Sequence, residues 1–148
     1  MVFLYIALGL IALGIIIFRM GGKELDKRLN AVGGIANMYS DVINALLKEG
    51  VTTIPQILPS QVRINGVIFL ESKGAPFQLK MDKLCHYQWD IKTMDGKNLW
   101  ITFVLKEGAN SIIERKTMQF PISPTCSQVH ILATLHHNIE HKEVFFEK

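Results

Sequence analysis

The chain has 148 residues, 49% of them hydrophobic, with 16 basic and 13 acidic side chains and a formal net charge of +3. Lys and Arg are interspersed with Asp and Glu rather than gathered in one run, so the electrostatic footprint of a nucleic-acid binder is missing and no nucleic-acid partner is expected. Setting aside one apolar N-terminal segment leaves about 125 residues, the size of a single compact domain.

That segment, Val2 to Phe18, reads VFLYIALGLIALGIIIF and carries no charge. As a helix rising about 1.5 Å per residue it is roughly 26 Å long, close to the hydrocarbon thickness of a bilayer. Its candidate anchor residues are Val2, Phe3, Leu4, Leu8, Leu10, Leu13, Ile15, Ile16, Ile17 and Phe18. A cleavable signal peptide carries basic residues ahead of its apolar run and a small-residue cleavage site behind it. Here only Met1 precedes and Arg19-Met20-Gly21-Gly22-Lys23 follows, so a retained anchor over residues 1–22 is expected. Arg19, Lys23, Lys27 and Arg28 lie behind the run, which by the positive-inside rule favours a cytoplasmic C-terminal domain. The two cysteines, Cys85 and Cys126, allow either one disulfide in an exported domain or a pair of free buried thiols.

Beyond Gly22 the pattern becomes periodic. Leu25, Leu29, Val32, Ala36, Tyr39, Ile43 and Leu46 recur at steps of four and three, which predicts an amphipathic helix over 23–50 with one apolar stripe and a stop at Gly50. The stripe needs a surface, either this protein's own sheet or another protomer. Gly21-Gly22 and Gly33-Gly34 each weaken a helix by about 1 kcal/mol per glycine, so both pairs are places where it can melt or bend.

Residues 51–148 are expected to form a globular α+β domain. Pro55 and Pro59 mark a loop leading into it. Gln61 to Leu70 carries β-branched residues with a turn signal at Asn65-Gly66, and Pro76 to Met81 alternates Phe77, Leu79 and Met81 on one face, which together predict two short strands. The strongest β signal is a hairpin. Tyr87, Trp89 and Ile91 alternate on one arm, Leu99, Ile101, Phe103 and Leu105 on the other, and Met94-Asp95-Gly96-Lys97 joins them. Ser111 to Ile122 predicts a further strand. Ser123-Pro124 then predicts a helix start, with Cys126, Val129, Leu132 or Ala133, and His136 on one face, and Lys142 to Phe146 predicts a last strand.

Catalytic signals are few. Gly-rich phosphate loops, HExxH, GxSxG and CxxC motifs do not occur. Cys85 and His86 are adjacent on a predicted strand, so their side chains point to opposite faces and do not form a dyad. His137 and His141 have the i, i+4 spacing that places two imidazoles on one helical face, with His136 beside them, but no motif completes a ligand shell. No metal, cofactor or catalytic residue is expected, and Trp89 and Trp100 read as packing residues.

The order of elements resembles that of type IV pilins and pilin-like minor subunits, particularly the type IVb kind. The likeness rests on an apolar helix beginning almost at residue 1, an amphipathic continuation with glycines near Gly21 and Gly33, an antiparallel sheet and two cysteines in the C-terminal half. Local likeness is confined to Leu8-Gly9-Leu10, Leu13-Gly14-Ile15 and the stretch from Ile101-Thr102-Phe103 towards Cys126. The resemblance implies a structural subunit of a filament or secretion apparatus in the bacterial inner membrane, with its domain periplasmic or extracellular. It also implies self or sibling subunits as partners, the stripe Leu25 to Leu46 as a contact surface, and Cys85 and Cys126 as a disulfide. The family's glutamate near the mature N-terminus has no counterpart, since Tyr5 stands there if Met1 is the mature start, which favours a minor or pilin-like subunit over a major pilin.

Overall fold

The computed structural model describes residues 1–47, 54–70 and 83–145. Helix α1 (Val2–Ala31) is followed by two short helices, α2 (Gly34–Met38) and α3 (Ser40–Leu46). Strands β1 (Gln56–Leu58), β2 (Gln61–Leu70), β3 (Lys83–Lys92), β4 (Asn98–Glu107) and β5 (Ser111–Pro121) come next, then helix α4 (Gln128–Asn138) and a 3-10 turn over Lys142–Phe145. The strands form one five-stranded antiparallel meander in chain order, so the fold is α+β as expected. The candidate strand Pro76 to Met81 and the helix stop at Gly50 lie outside the described residues.

One face of the sheet carries the core. Val62, Ile64 and Ile68 of β2, Cys85, Tyr87, Trp89 and Ile91 of β3, and Leu99, Ile101, Phe103 and Leu105 of β4 are all buried. This is the period-2 alternation read from the hairpin sequence, and it appears because successive strand side chains point to opposite faces. Trp89 and Phe103 face each other across β3 and β4 with ring centroids 4.7 Å apart. Ile35 of α2, Tyr39 at the junction, and Val42, Ile43 and Leu46 of α3 cover this face, and Ile131 and Leu135 cover it from α4, completing one continuous cluster. The opposite face is polar and cross-linked between strands. Gln88 donates to Asn65 (2.9 Å), Gln61 donates to Asp90 (2.8 Å), and the Thr102 and Thr117 hydroxyls meet at 3.1 Å.

Three sequence expectations are corrected. Asn65-Gly66 is not a turn, since β2 runs unbroken through it, with Gly66 opposite Tyr87. A Cβ at Gly66 would collide with the Tyr87 ring, so the glycine is there for close approach rather than for chain reversal. Helix α4 begins later than Ser123. Ser123 and Pro124 form a preceding turn, closed by Cys126 N–H on Ser123 O (3.1 Å), while Ser127 is the N-cap and its hydroxyl accepts from His130 N (3.2 Å). Its inward face is accordingly Ile131 and Leu135, and Val129 is 77% exposed. The expected last strand is instead the 3-10 turn, because the chain ahead of it is held by a side chain rather than by a sheet edge.

The β3–β4 turn closes as the sequence predicts. Asp95 accepts from the backbone N–H groups of Asn98 (2.9 Å) and Lys97 (2.8 Å), and these bonds hold its carboxyl below the usual carboxylate range. The turn therefore gains from an ionised Asp95 above the ordinary carboxylate value and loses that contribution as pH falls through the lower folded one.

Gly66→Ala, which forces the Tyr87 ring out of its place, is expected to destabilise the domain by about 1–3 kcal/mol. A urea titration checks this, the midpoint falling at an unchanged slope.

Candidate functional site

Helix α1 dominates the surface. One helical stretch, from Val2 to Met38, is long and apolar enough to cross a membrane, with a mean hydropathy of 2.5 over its best window and none of that window buried. Phe3, Leu4, Leu8, Leu10, Leu13, Ile15, Ile16, Ile17 and Phe18 are all more than half exposed, and so is Val2. Such a continuous exposed apolar column is consistent with a membrane anchor.

The stripe behind it is covered except at Val32. Leu25 is half-buried, Leu29, Tyr39, Ile43 and Leu46 are buried, Ala36 is half-buried and Val32 is 50% exposed. The stripe is spent on this chain's own sheet and is not available as an intersubunit surface along its length. Gly33 and Gly34, with φ values of +84° and +76°, break the helix within the stripe, whereas Gly21 and Gly22 continue α1 without interruption. Gly34 is needed twice. Its φ is left-handed, and a Cβ there would sit 3.3 Å from the Pro59 Cα, while the next residue, Ile35, donates its N–H to Pro59 O at 3.0 Å. Asn37 closes the end of α1 by donating to Val32 O at 2.8 Å.

Helix α3 has no side-chain cap of its own. The Gln128 side-chain oxygen, from α4, accepts from the N–H groups of Asp41 (2.8 Å) and Val42 (3.1 Å) and ties the two helices together. Sequence reading missed this residue, since a cap arriving from 87 positions away leaves no local pattern.

The histidines do not assemble as the i, i+4 spacing allows. Helix α4 ends at Asn138, so His141 lies beyond it, while His137 is exposed and His136 half-buried. His141 instead meets Glu114, an inward-facing residue of β5 that is 5% exposed. One Glu114 oxygen accepts from Glu140 N–H (2.7 Å), and the other accepts from His141 N–H (3.3 Å) and His141 Nδ1 (2.6 Å). Glu114, Glu140 and His141 are near enough to one another to have the outline of a ligand set. Both Glu114 oxygens already hold protein donors, however, and the arrangement works as a clamp on the chain beyond α4.

The disulfide implied by the pilin resemblance is not formed, and both cysteines are free. Cys85 pairs in register with Ile68, well away from the β3–β4 turn, and burial pushes its thiol up. Cys126 follows β5, whose continuation Ile122 bonds Lys97 at that turn. The two thiols thus belong to different ends of the sheet, whereas a disulfide needs Cα atoms within about 7 Å. Cys85 and His86 fall on opposite faces as expected, one buried and one exposed.

No protein-family model, no characterised protein and no solved structure matches this chain. The long apolar helix leading into an antiparallel sheet is compatible with a pilin-like architecture.

Two measurements check this geometry. Thiol labelling of the native protein without reductant is expected to modify Cys126 and spare Cys85, with both reacting after unfolding. Glu114→Ala is expected to destabilise the domain by about 1–3 kcal/mol in chemical denaturation, since it strands two backbone donors near the end of α4.

Proposed function

We propose that this protein is a non-enzymatic, membrane-anchored structural subunit, a pilin-like component of a filament or secretion apparatus in a bacterial envelope. The observation that carries this reading is the exposed apolar column of α1 projecting from a domain whose own core is closed. Residues 2–18 supply the anchor, and the same surface is what remains for helix packing between subunits, because the stripe behind it is occupied. The sheet domain is then the displayed part, periplasmic or extracellular.

A second reading is a single-pass protein whose domain binds a partner in an envelope or transport complex. Three observations favour it. The cysteines are free, which removes the disulfide as a sign of an oxidising compartment, and the basic residues Arg19, Lys23, Lys27 and Arg28 follow the span. The polar sheet face also ends in an exposed apolar pair, Phe69 at 66% and Leu84 at 47%, opposite each other in register.

Leu13→Lys places a charge at the middle of the span, at a cost of roughly 2.5–3.5 kcal/mol on insertion scales. It is expected to shift the protein from the carbonate-resistant membrane fraction into the soluble one, and unchanged fractionation would remove the anchor. Shearing cells separates the two readings. Recovery of the protein with sheared surface filaments supports the first, and strict retention in membranes supports the second.

A further inference from the structure

The sheet face turned away from the core carries a cleft of about 390 Å³, whose walls include Asn65, His86, Gln88 and Lys106 around Val104. Strand register explains why these residues meet. Residues directly opposite each other in an antiparallel pair share a face, and every second residue along a strand returns to it. One row across the sheet is therefore Val67, His86, Lys106 and Ile112, and the next is Asn65, Gln88, Val104 and Arg115. Val104 points outward yet is only 8% exposed, so it forms the apolar floor. Gln88 donates to Asn65 Oδ1, which leaves the Asn65 NH2 group to donate to a ligand.

The charge around this cleft has one sign. Among the described residues, His86, Lys106 and Arg115 have no acidic partner. Asp90, the acid nearest in register, lies one row beyond Gln88 and is already held by Gln61 and Arg63. Glu107 and Glu114 alternate onto the core side with Leu105 and are held by Lys83 and His141. On the other side of the cleft the surface turns apolar, with Phe69 and Leu84 exposed opposite each other and Ile112 exposed beside Lys106. This region is remote from the anchor. Phe18 and Leu25 of α1 flank the β3–β4 turn, whereas His86 lies roughly 20 Å away along β3. The leaflet that holds α1 is thus at the opposite end of the sheet, and the occupant suited to this face is a protein.

We propose that this outer face is the docking site for an acidic segment of a partner protein, whose carboxylates enter the cleft between His86, Lys106 and Arg115 while its apolar side chains cover Phe69, Leu84 and Ile112. The proposal rests on the reading of the domain as one that binds a partner in an envelope complex, and it supplies the face and the partner's chemistry. Charge-assisted hydrogen bonds from Lys106, Arg115 and the Asn65 amide orient the segment, and the apolar end excludes water beside them.

Site-specific photo-cross-linking in the native cells tests the proposal. The full-length chain carries p-benzoylphenylalanine in place of Leu84, or in place of Val129 on the exposed side of α4, and adducts are identified by mass spectrometry. The expected result is an adduct from position 84 to an Asp- and Glu-rich peptide of another protein, with position 129 near background. In the Lys106→Glu, Arg115→Glu double variant that adduct is expected to fall about tenfold or more. If the reversal lowers the urea midpoint, Lys106→Gln with Arg115→Gln replaces it, and a several-fold loss is expected. Protein adducts from position 129 at or above the level at 84 would overturn this face and leave partner binding standing. An adduct from position 84 that persists in the double variant, or that joins a peptide without acidic residues, a lipid or a second copy of this chain, would overturn the proposal. No protein adduct from either position would overturn both the face and the partner-binding reading.

Discussion

The bend at Gly33 and Gly34 is the constraint on which the rest of the structure depends. A straight helix would carry Ala36, Tyr39, Ile43 and Leu46 away from the sheet and leave them exposed, although Leu25 and Leu29, ahead of the bend, would keep their cover. Two consecutive left-handed φ angles, +84° and +76°, redirect the chain, and the Ile35 N–H bond to Pro59 holds the redirected segment at the β1–β2 turn. Downstream of the bend the apolar residues of the stripe are buried or half-buried, and upstream of Leu25 they are exposed. The interruption turns the second part of the stripe inward as a lid on the core, while the charge-free run of α1 ahead of Leu25 stays exposed.

The lid is secured by contacts that join distant parts of the chain. Gln128 caps α3 from α4, and Glu114 holds the backbone at Glu140 and His141 from β5. Both use an otherwise ordinary polar side chain to satisfy main-chain donors that the ends of helices leave open. Their effect is to set where the last quarter of the chain sits: α4 runs across the core with Ile131 and Leu135 inward, and the residues after it coil into a 3-10 turn under Glu114's hold.

Most of the regular architecture could be read from periodicity. The uncharged run from Val2 to Phe18, the steps of four and three from Leu25 to Leu46, and the alternation on both arms of the Asp95-Gly96 hairpin each reflect a repeat that the backbone imposes locally, and each reappears in the structure. Glycine and serine were less legible. Asn65-Gly66 carries a turn signal, yet Gly66 serves a bulky neighbour on β3, and of the serines before α4 it is Ser127 and not Ser123 that caps the helix. In these cases the local residue types permit two outcomes, and a partner from elsewhere selects one.

By itself, then, the sequence determined the class of the fold and the presence of an apolar stem, since both follow from hydrophobic spacing along contiguous residues. Tertiary structure alone decided that the stripe is covered by this chain's own domain with Val32 left exposed, that Cys85 and Cys126 stay apart, and that His141 serves Glu114 and not a metal-like cluster with His137. The physical reason is the same throughout. Each depends on the distance between residues far apart in the chain, and that distance is set by the bend, the strand register and the packing of the core, none of which leaves a mark in local composition.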